Sequence, residues 1–183
     1  MKPVFLTTAA LIVAGLGYVY FAPLVEALGW SLTHHSTAIY KGWPGTQYKS
    51  FSVKVPWMWK QEPGLGSHQS VELVRARIGS PFPMDSVSIR LVDSPEDVLK
   101  RETQMSQALS ERVAKVGFPG RSETFAIDTD VANRFSCIAT RLGTLQPNSI
   151  VCASTDGRRW LVDYTHFDPT HEVELSPILR NLQ

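Results

Sequence analysis

The sequence predicts an α+β domain, an antiparallel β-sheet with helices packed on it, preceded by one N-terminal transmembrane helix. Three stretches carry that prediction. Pro3 to Val25 has no charged residue, Ser94 opens a well-capped amphipathic segment, and Val131 to Asp168 reads as three strands joined in a meander.

With 183 residues the chain has room for one membrane segment and one domain with its own core. A formal net charge of +1 and the absence of a basic run argue against nucleic acid as a partner, since neutralising phosphates needs clustered Lys and Arg. Two cysteines are too few for a disulfide-dense scaffold or a four-thiolate zinc site.

The charge-free run matches the roughly 20 residues a helix needs to cross the hydrocarbon core. Tyr18, Tyr20 and Trp30 stand near its far end, where amphipathic rings favour the membrane interface. The α-amino group and Lys2 flank one side, and the next basic residue is Lys41. This bias places the N-terminus in the cytoplasm and the rest on the extracytoplasmic, periplasmic side. A signal peptide cleaved after Val25-Glu26-Ala27 competes with an uncleaved anchor; the length of the apolar run and Glu26 beside the site favour the anchor. The expected organisation is an anchor or signal peptide over 1–27, a juxtamembrane connector over 28–47 and a globular domain over 48–183.

Within the connector, Thr37 to Lys41 forms a first edge strand that stops at Trp43-Pro44-Gly45. His34-His35 reads as a solvated or interfacial pair, because adjacent side chains diverge on a helix or a strand. In the domain, Phe51, Val53 and Val55 alternate with polar residues up to Pro56. Trp57 and Trp59 follow at period two and are expected on one face, with a loop over 61–70. Val71 to Ile78 and the set Val87, Ile89 and Leu91 give two more strands. Ser94 is then an N-cap, Pro95 suits the first helical position, and Glu96-Asp97 suit the positive helix end. Val98, Met105, Leu109, Val113 and Val116 form the apolar stripe, and Gly117 ends the helix.

Ser122 to Ile127 is a further strand before the meander. Asp156-Gly157 predicts a two-residue hairpin turn that sets Thr155 opposite Arg158 and Cys152 opposite Leu161. The loop at Gly143 and Pro147 lets Cys137 face Cys152. An exported chain with these two cysteines on adjoining strands is expected to form a Cys137–Cys152 disulfide. Asp168-Pro169 opens a terminal helix, restarted or kinked at Ser176-Pro177, with Val173, Leu175, Ile178, Leu179 and Leu182 as its apolar face. The outer meander strands carry apolar residues on both faces, which implies a sheet covered on both sides.

The string from Phe51 to Trp59, F-x-V-x-V-P followed by an aromatic, opens the domain. With the later helix, the Gly157 hairpin and the strand Trp160 to Tyr164, it resembles the PsbP-like, or Mog-type, α/β/α sandwich over residues 48–183. That family includes the extrinsic PsbP subunit of photosystem II, Ran-binding Mog proteins and exported bacterial domains. The resemblance implies a fold used mainly for docking onto membrane complexes or other proteins, and it brings no active-site residue onto this chain.

No nucleophile elbow, zinc-protease helix or P-loop is present, so neither a catalytic residue nor a cofactor is expected. Asp163 and His166 lie on opposite sides of one strand, and His166 is expected to cap the terminal helix. Two function classes follow. One is a non-catalytic, membrane-tethered domain that docks a protein partner in an envelope or membrane assembly. The other binds or hydrolyses a small ligand at a surface formed by Trp57, Trp59 and Trp160.

Overall fold

The computed structural model describes residues 2–34, 36–40, 50–62, 70–77, 80, 82–116, 122–127, 133–142, 148–167 and 175–182. The chain begins with one helix, α1 (Lys2–Thr33), which continues through Pro23. Its portion Ala10–Thr33 is long and apolar enough to cross a membrane, and nearly all of its most apolar stretch is uncovered. Residues 28–33, expected in the connector, are instead the last turns of this helix.

After Ser36 in a left-handed conformation (φ 53°) comes β1 (Thr37–Tyr40), antiparallel to β2 (Phe51–Lys54). These two form a separate ribbon rather than strands of the main sheet. The expected boundary at 47/48 thus falls between two strands that pair with each other. The turn signal Trp43-Pro44-Gly45 lies outside the described residues.

Among the described residues, seven further strands make one antiparallel sheet. They are β3 (Trp59–Glu62), β4 (Ser70–Arg75), β5 (Asp85–Leu91), β6 (Ser122–Ile127), β7 (Phe135–Leu142), β8 (Ser149–Ser154) and β9 (Trp160–His166), in spatial order β3-β4-β5-β9-β8-β7-β6. The order joins two meanders edge to edge through β5 and β9, which pair over seven residues from Asp85↔His166 to Leu91↔Trp160. Between them in sequence runs the helix α2 (Pro95–Val116). Ser94 holds its N-cap position, its carbonyl accepting from Val98 N–H at 3.2 Å.

The alternation of side chains across each strand assigns the two faces. Leu73, Val87, Ile89, Phe135, Cys137, Ala139, Ile150, Cys152, Trp160, Val162 and Tyr164 build the inner face and the main core. That face is covered by Ala38, Val53 and Val55 of the ribbon and its exit, and by Leu175, Ile178, Leu179 and Leu182 around a short C-terminal helix, α3 (Ser176–Arg180). The expected start at Asp168-Pro169 and Val173 lie outside the described residues. On the outer face Leu161, Ala153, Val151 and Ile138 pack with Val98 and Leu99 of α2. The apolar stripe differs from expectation at Met105, which is 66% exposed, while Leu99 supplies the buried contact. The side chains of Leu109, Val113 and Val116, and the helix stop at Gly117, lie outside the described residues.

The β8–β9 turn corrects the expected register by one residue. Cys152 faces Val162 and Ala153 faces Leu161. The turn contains an extra residue because Arg159 also takes a left-handed conformation (φ 68°), after Gly157 (φ 78°). Asp156 Oδ1 accepts from Arg158 N–H at 3.2 Å, and Ser154 Oγ accepts from Trp160 N–H at 2.9 Å, which holds the wider turn. Since adjacent residues point to opposite faces, the slip puts Val162, not Leu161, across from the cysteine on the inner face.

Cys137 and Cys152 are directly paired and bonded, with Cα atoms 4.1 Å apart. Thr155 N–H donates to Arg134 O at 2.9 Å, which marks a hydrogen-bonded pair. Counting in twos from it places the cysteines at a closely spaced, non-hydrogen-bonded pair, where two Sγ atoms can meet. The bond spans 15 residues. Denatured but unreduced protein should therefore take up no alkylating reagent, and two equivalents after reduction; uptake of two before reduction would contradict the bond. Replacing both cysteines by Ala is expected to lower stability by about 3 kcal/mol in urea unfolding.

Candidate functional site at the junction of helix and domain

Chemistry-bearing residues converge where α1 meets the sheet. Ala27 and Ser31 lie four apart on one helix face, and both are buried. Ser31 Oγ approaches Trp59 O at 3.5 Å. Trp30 packs against the main core and stacks on His34 at 5.1 Å, and the His34 ring nitrogen Nδ1 lies 3.2 Å from Trp30 O at the helix end. His34 is thus an exposed helix-end group, as expected; His35 lies outside the described residues.

Glu26, the first charge after the apolar run, meets Lys60 Nζ at 2.7 Å, and Glu62 meets it at 3.0 Å. Burial pulls the Lys60 pKa down, but hydrogen bonds and charge from both glutamates outweigh it and hold the ammonium above its usual value. Strand β3 supplies Lys60 and Glu62, and so takes in residues 61 and 62 of the expected loop over 61–70. Gln61, between them in β3, serves as an artificial strand edge: its amide accepts from Ile39 N–H and donates to Ile39 O, both at 3.0 Å.

In the last row at this end of the sheet, Trp59 faces Arg75, Arg75 faces Asp85, and Asp85 faces His166. Arg75 Nη1 meets Asp85 Oδ2 at 3.2 Å, and His166 Nδ1 hydrogen-bonds Asp85 Oδ1. A carboxylate only accepts, so Nδ1–H is the donor. The His166 ring also lies parallel to Tyr164, 6.3 Å away. Pro23, Glu26, Lys60, Arg75, Ala76 and Pro83 line a cavity of about 330 Å³ beside this row.

His166 thus pairs with Asp85, while the start of the terminal helix that it was expected to cap lies outside the described residues. The separation of His166 from Asp163 is as expected, since Asp163 faces Ser88 on the outer side of the sheet. The His166 and Asp85 side chains are 1% and 0% exposed. A general base must reach the proton it removes, and burial withholds this pair from a substrate in solvent. The arrangement is a buried polar tie across β4, β5 and β9. Among the described residues no cluster of three or more His, Cys, Asp or Glu could hold a metal ion.

The three tryptophans do not share a surface. Trp59 is fully buried and Trp160 is 5% exposed, both in the inner core but at opposite ends of the strands, while Trp57 is 56% exposed. Trp57 and Met58 form a turn, with Met58 left-handed at φ 71°, so the strand period expected to align Trp57 with Trp59 does not apply. Trp160 instead meets Phe51 edge-on at 4.9 Å.

The outer face holds two other features. A cleft of about 550 Å³ between α2 and β7–β8 is lined by Met105, Ser106, Ile138, Thr140 and Val151. Also on this face, Arg90 pairs with Asp163 at 2.9 Å, both side chains being partly buried. Burial raises the Asp163 pKa; Arg90 offsets part of that, and Glu102 and Glu72 reinforce it.

Comparison with known protein families, with curated proteins and with solved structures finds no match.

The two aspartates should respond oppositely to substitution. Asp85→Ala removes the buried carboxylate that meets both Arg75 and His166, and a loss of about 3 kcal/mol in urea unfolding is expected. Asp163→Asn removes a carboxyl whose raised pKa stabilises the fold at low pH and loses that contribution as pH rises through the folded value. The variant should therefore gain on wild type as pH increases above the ordinary carboxyl value of 3.8. Equal losses for the two variants at neutral pH would contradict these assignments.

Proposed function

We propose that the chain is a membrane-anchored extracytoplasmic domain that serves as a non-catalytic docking or accessory subunit of an envelope assembly. One observation carries the reading: the uncovered, membrane-length part of α1 runs without a break into turns that belong to the domain core. A helix held this way presents the domain at the bilayer in a defined attitude, as a docking subunit requires. Retention of the helix is favoured because cleavage after Ala27 would remove a buried residue and the Glu26–Lys60 ion pair.

Lys2 at the helix start and the Cys137–Cys152 bond, which suits an oxidising compartment, support the extracytoplasmic side for the domain. A helix lying over one face of an antiparallel sheet is in keeping with the PsbP-like resemblance, and with it a docking role. Withdrawal of the His166–Asp85 pair from solvent supports the non-catalytic reading.

A reporter active only in the cytoplasm, fused after Gln183, should be silent, and the purified protein should keep its residues before Leu28. Extraction of membranes in mild detergent should co-purify a stoichiometric protein partner with the tagged chain. An active reporter would overturn the orientation, an N-terminus at Leu28 the anchor, and a solitary chain in the extract the docking role.

A further inference from the structure

We propose that Trp57, Phe82 and Phe167 form a second membrane contact, dipping into the interfacial layer of the leaflet through which α1 enters the domain. This inference rests on α1 being a membrane anchor. Outside α1, the exposed large hydrophobic side chains among the described residues are Ile39, Trp57, Phe82, Met105 and Phe167. The three aromatics of that set all lie just beyond the same end of the sheet. Trp57 precedes Trp59, where β3 begins; Phe82 precedes Asp85, where β5 begins; Phe167 follows His166, where β9 ends. Trp59, Asp85 and His166 belong to one cross-strand row, and Phe167 N–H donates to Met84 O at 3.0 Å, which continues the ladder past it.

This end of the sheet is also the end that touches the helix. Pro83, next to Phe82, lines the same cavity as Pro23 and Glu26 of α1. Pro23 is three residues before Glu26, so at a rise of 1.5 Å per residue it lies only about 4.5 Å inside the first charge after the apolar run. Any group beside Pro23 is at the level where aromatic rings collect at bilayer interfaces. Amphipathic surface elements bury their apolar side chains about 5–10 Å into that layer, a depth the rings on either side of Pro83 can reach. A lipid interface is the occupant that this continuity with the helix selects. Phe82 and Phe167 are 74% and 54% exposed, so filling that layer removes apolar surface from water without disturbing the core.

The disulfide leaves no free thiol among the native cysteines, so a single introduced cysteine can carry an environment-sensitive fluorophore. The full chain would be labelled at Phe82→Cys, Phe167→Cys, Leu16→Cys or Asp156→Cys. It would then be reconstituted into vesicles of phosphatidylethanolamine and phosphatidylglycerol containing nitroxide lipids labelled near the carbonyl or deep in the acyl chain. Asp156 is in the turn at the opposite end of β9, and Leu16 is on the exposed part of α1. Probes at 82 and 167 are expected to be quenched by the shallow nitroxide several-fold more than the probe at 156, and the probe at 16 by the deep one. Probes at 82 and 167 no more quenched than that at 156, with the probe at 16 quenched, would overturn the second contact and leave the anchor standing. They would then leave this end free for a protein. Loss of quenching at 16 would overturn the anchor and the second contact with it.

Discussion

The fold depends on closing the inner face of the sheet with pieces that could not stand alone. A two-stranded ribbon is marginal in water, and a five-residue helix is far below the length at which helices persist. Each becomes stable only against the sheet and against the others. Ala27 and Ser31 of α1 close one border beside β3, Ala38 and Val53 cover the middle, and Ile178, Leu179 and Leu182 complete the core. Asn181 Nδ2 donates to Lys54 O at 3.2 Å and Arg134 to Leu182 O, so the last residues of the chain are tied to the ribbon and to the start of β7. Membrane helix and domain are therefore parts of one packing problem.

Polar groups hold the register of this apolar arrangement. The tie between Arg75, Asp85 and His166 crosses the seam where the two meanders meet. Buried ion pairs add little net stability over apolar residues, but a mispaired strand would strand the charge, which costs several kcal/mol. Gln61 performs a similar service at the edge of β1 by occupying the backbone groups of Ile39. The left-handed residues Ser36, Met58 and Arg159 all stand at element junctions. At Arg159 the guanidinium binds Val92 O at 3.1 Å and pairs with Asp93, which secures that conformation.

The parts of the structure legible in the sequence are those that local pattern decides. The apolar run, the Ser94-Pro95 helix start and the alternation in the meander each depend on a few neighbouring residues. The Cys137–Cys152 pairing was legible because it needs only the hairpin loop between them, whose length is independent of the next turn. The register beyond Cys152 was not, because whether Arg159 joins the turn depends on Asp93 and Val92, far away in sequence. Strand β3 escaped notice because Lys60, Gln61 and Glu62 are polar on both faces; their partners Glu26 and Ile39 come from the helix and the ribbon. The role of His166 was hidden for the same reason, since Asp85 is 81 residues away in the chain. Only the pairing of β5 with β9 unites them. Trp57 and Trp59 look equivalent by spacing, and one left-handed residue between them separates a surface ring from a core ring.

The central claim is that the last turns of α1 are part of the domain rather than a tether. It is tested most directly by urea unfolding of the detergent-solubilised full chain, followed by near-ultraviolet circular dichroism, in two variants five residues apart. Ala27 is fully buried and Leu32 is exposed on the same helix. Ala27→Trp is expected to overpack the junction and destabilise the whole domain by about 1–3 kcal/mol, with Leu32→Trp close to wild type. Equal unfolding midpoints for the two variants would mean that the helix only tethers the domain, and would contradict the account.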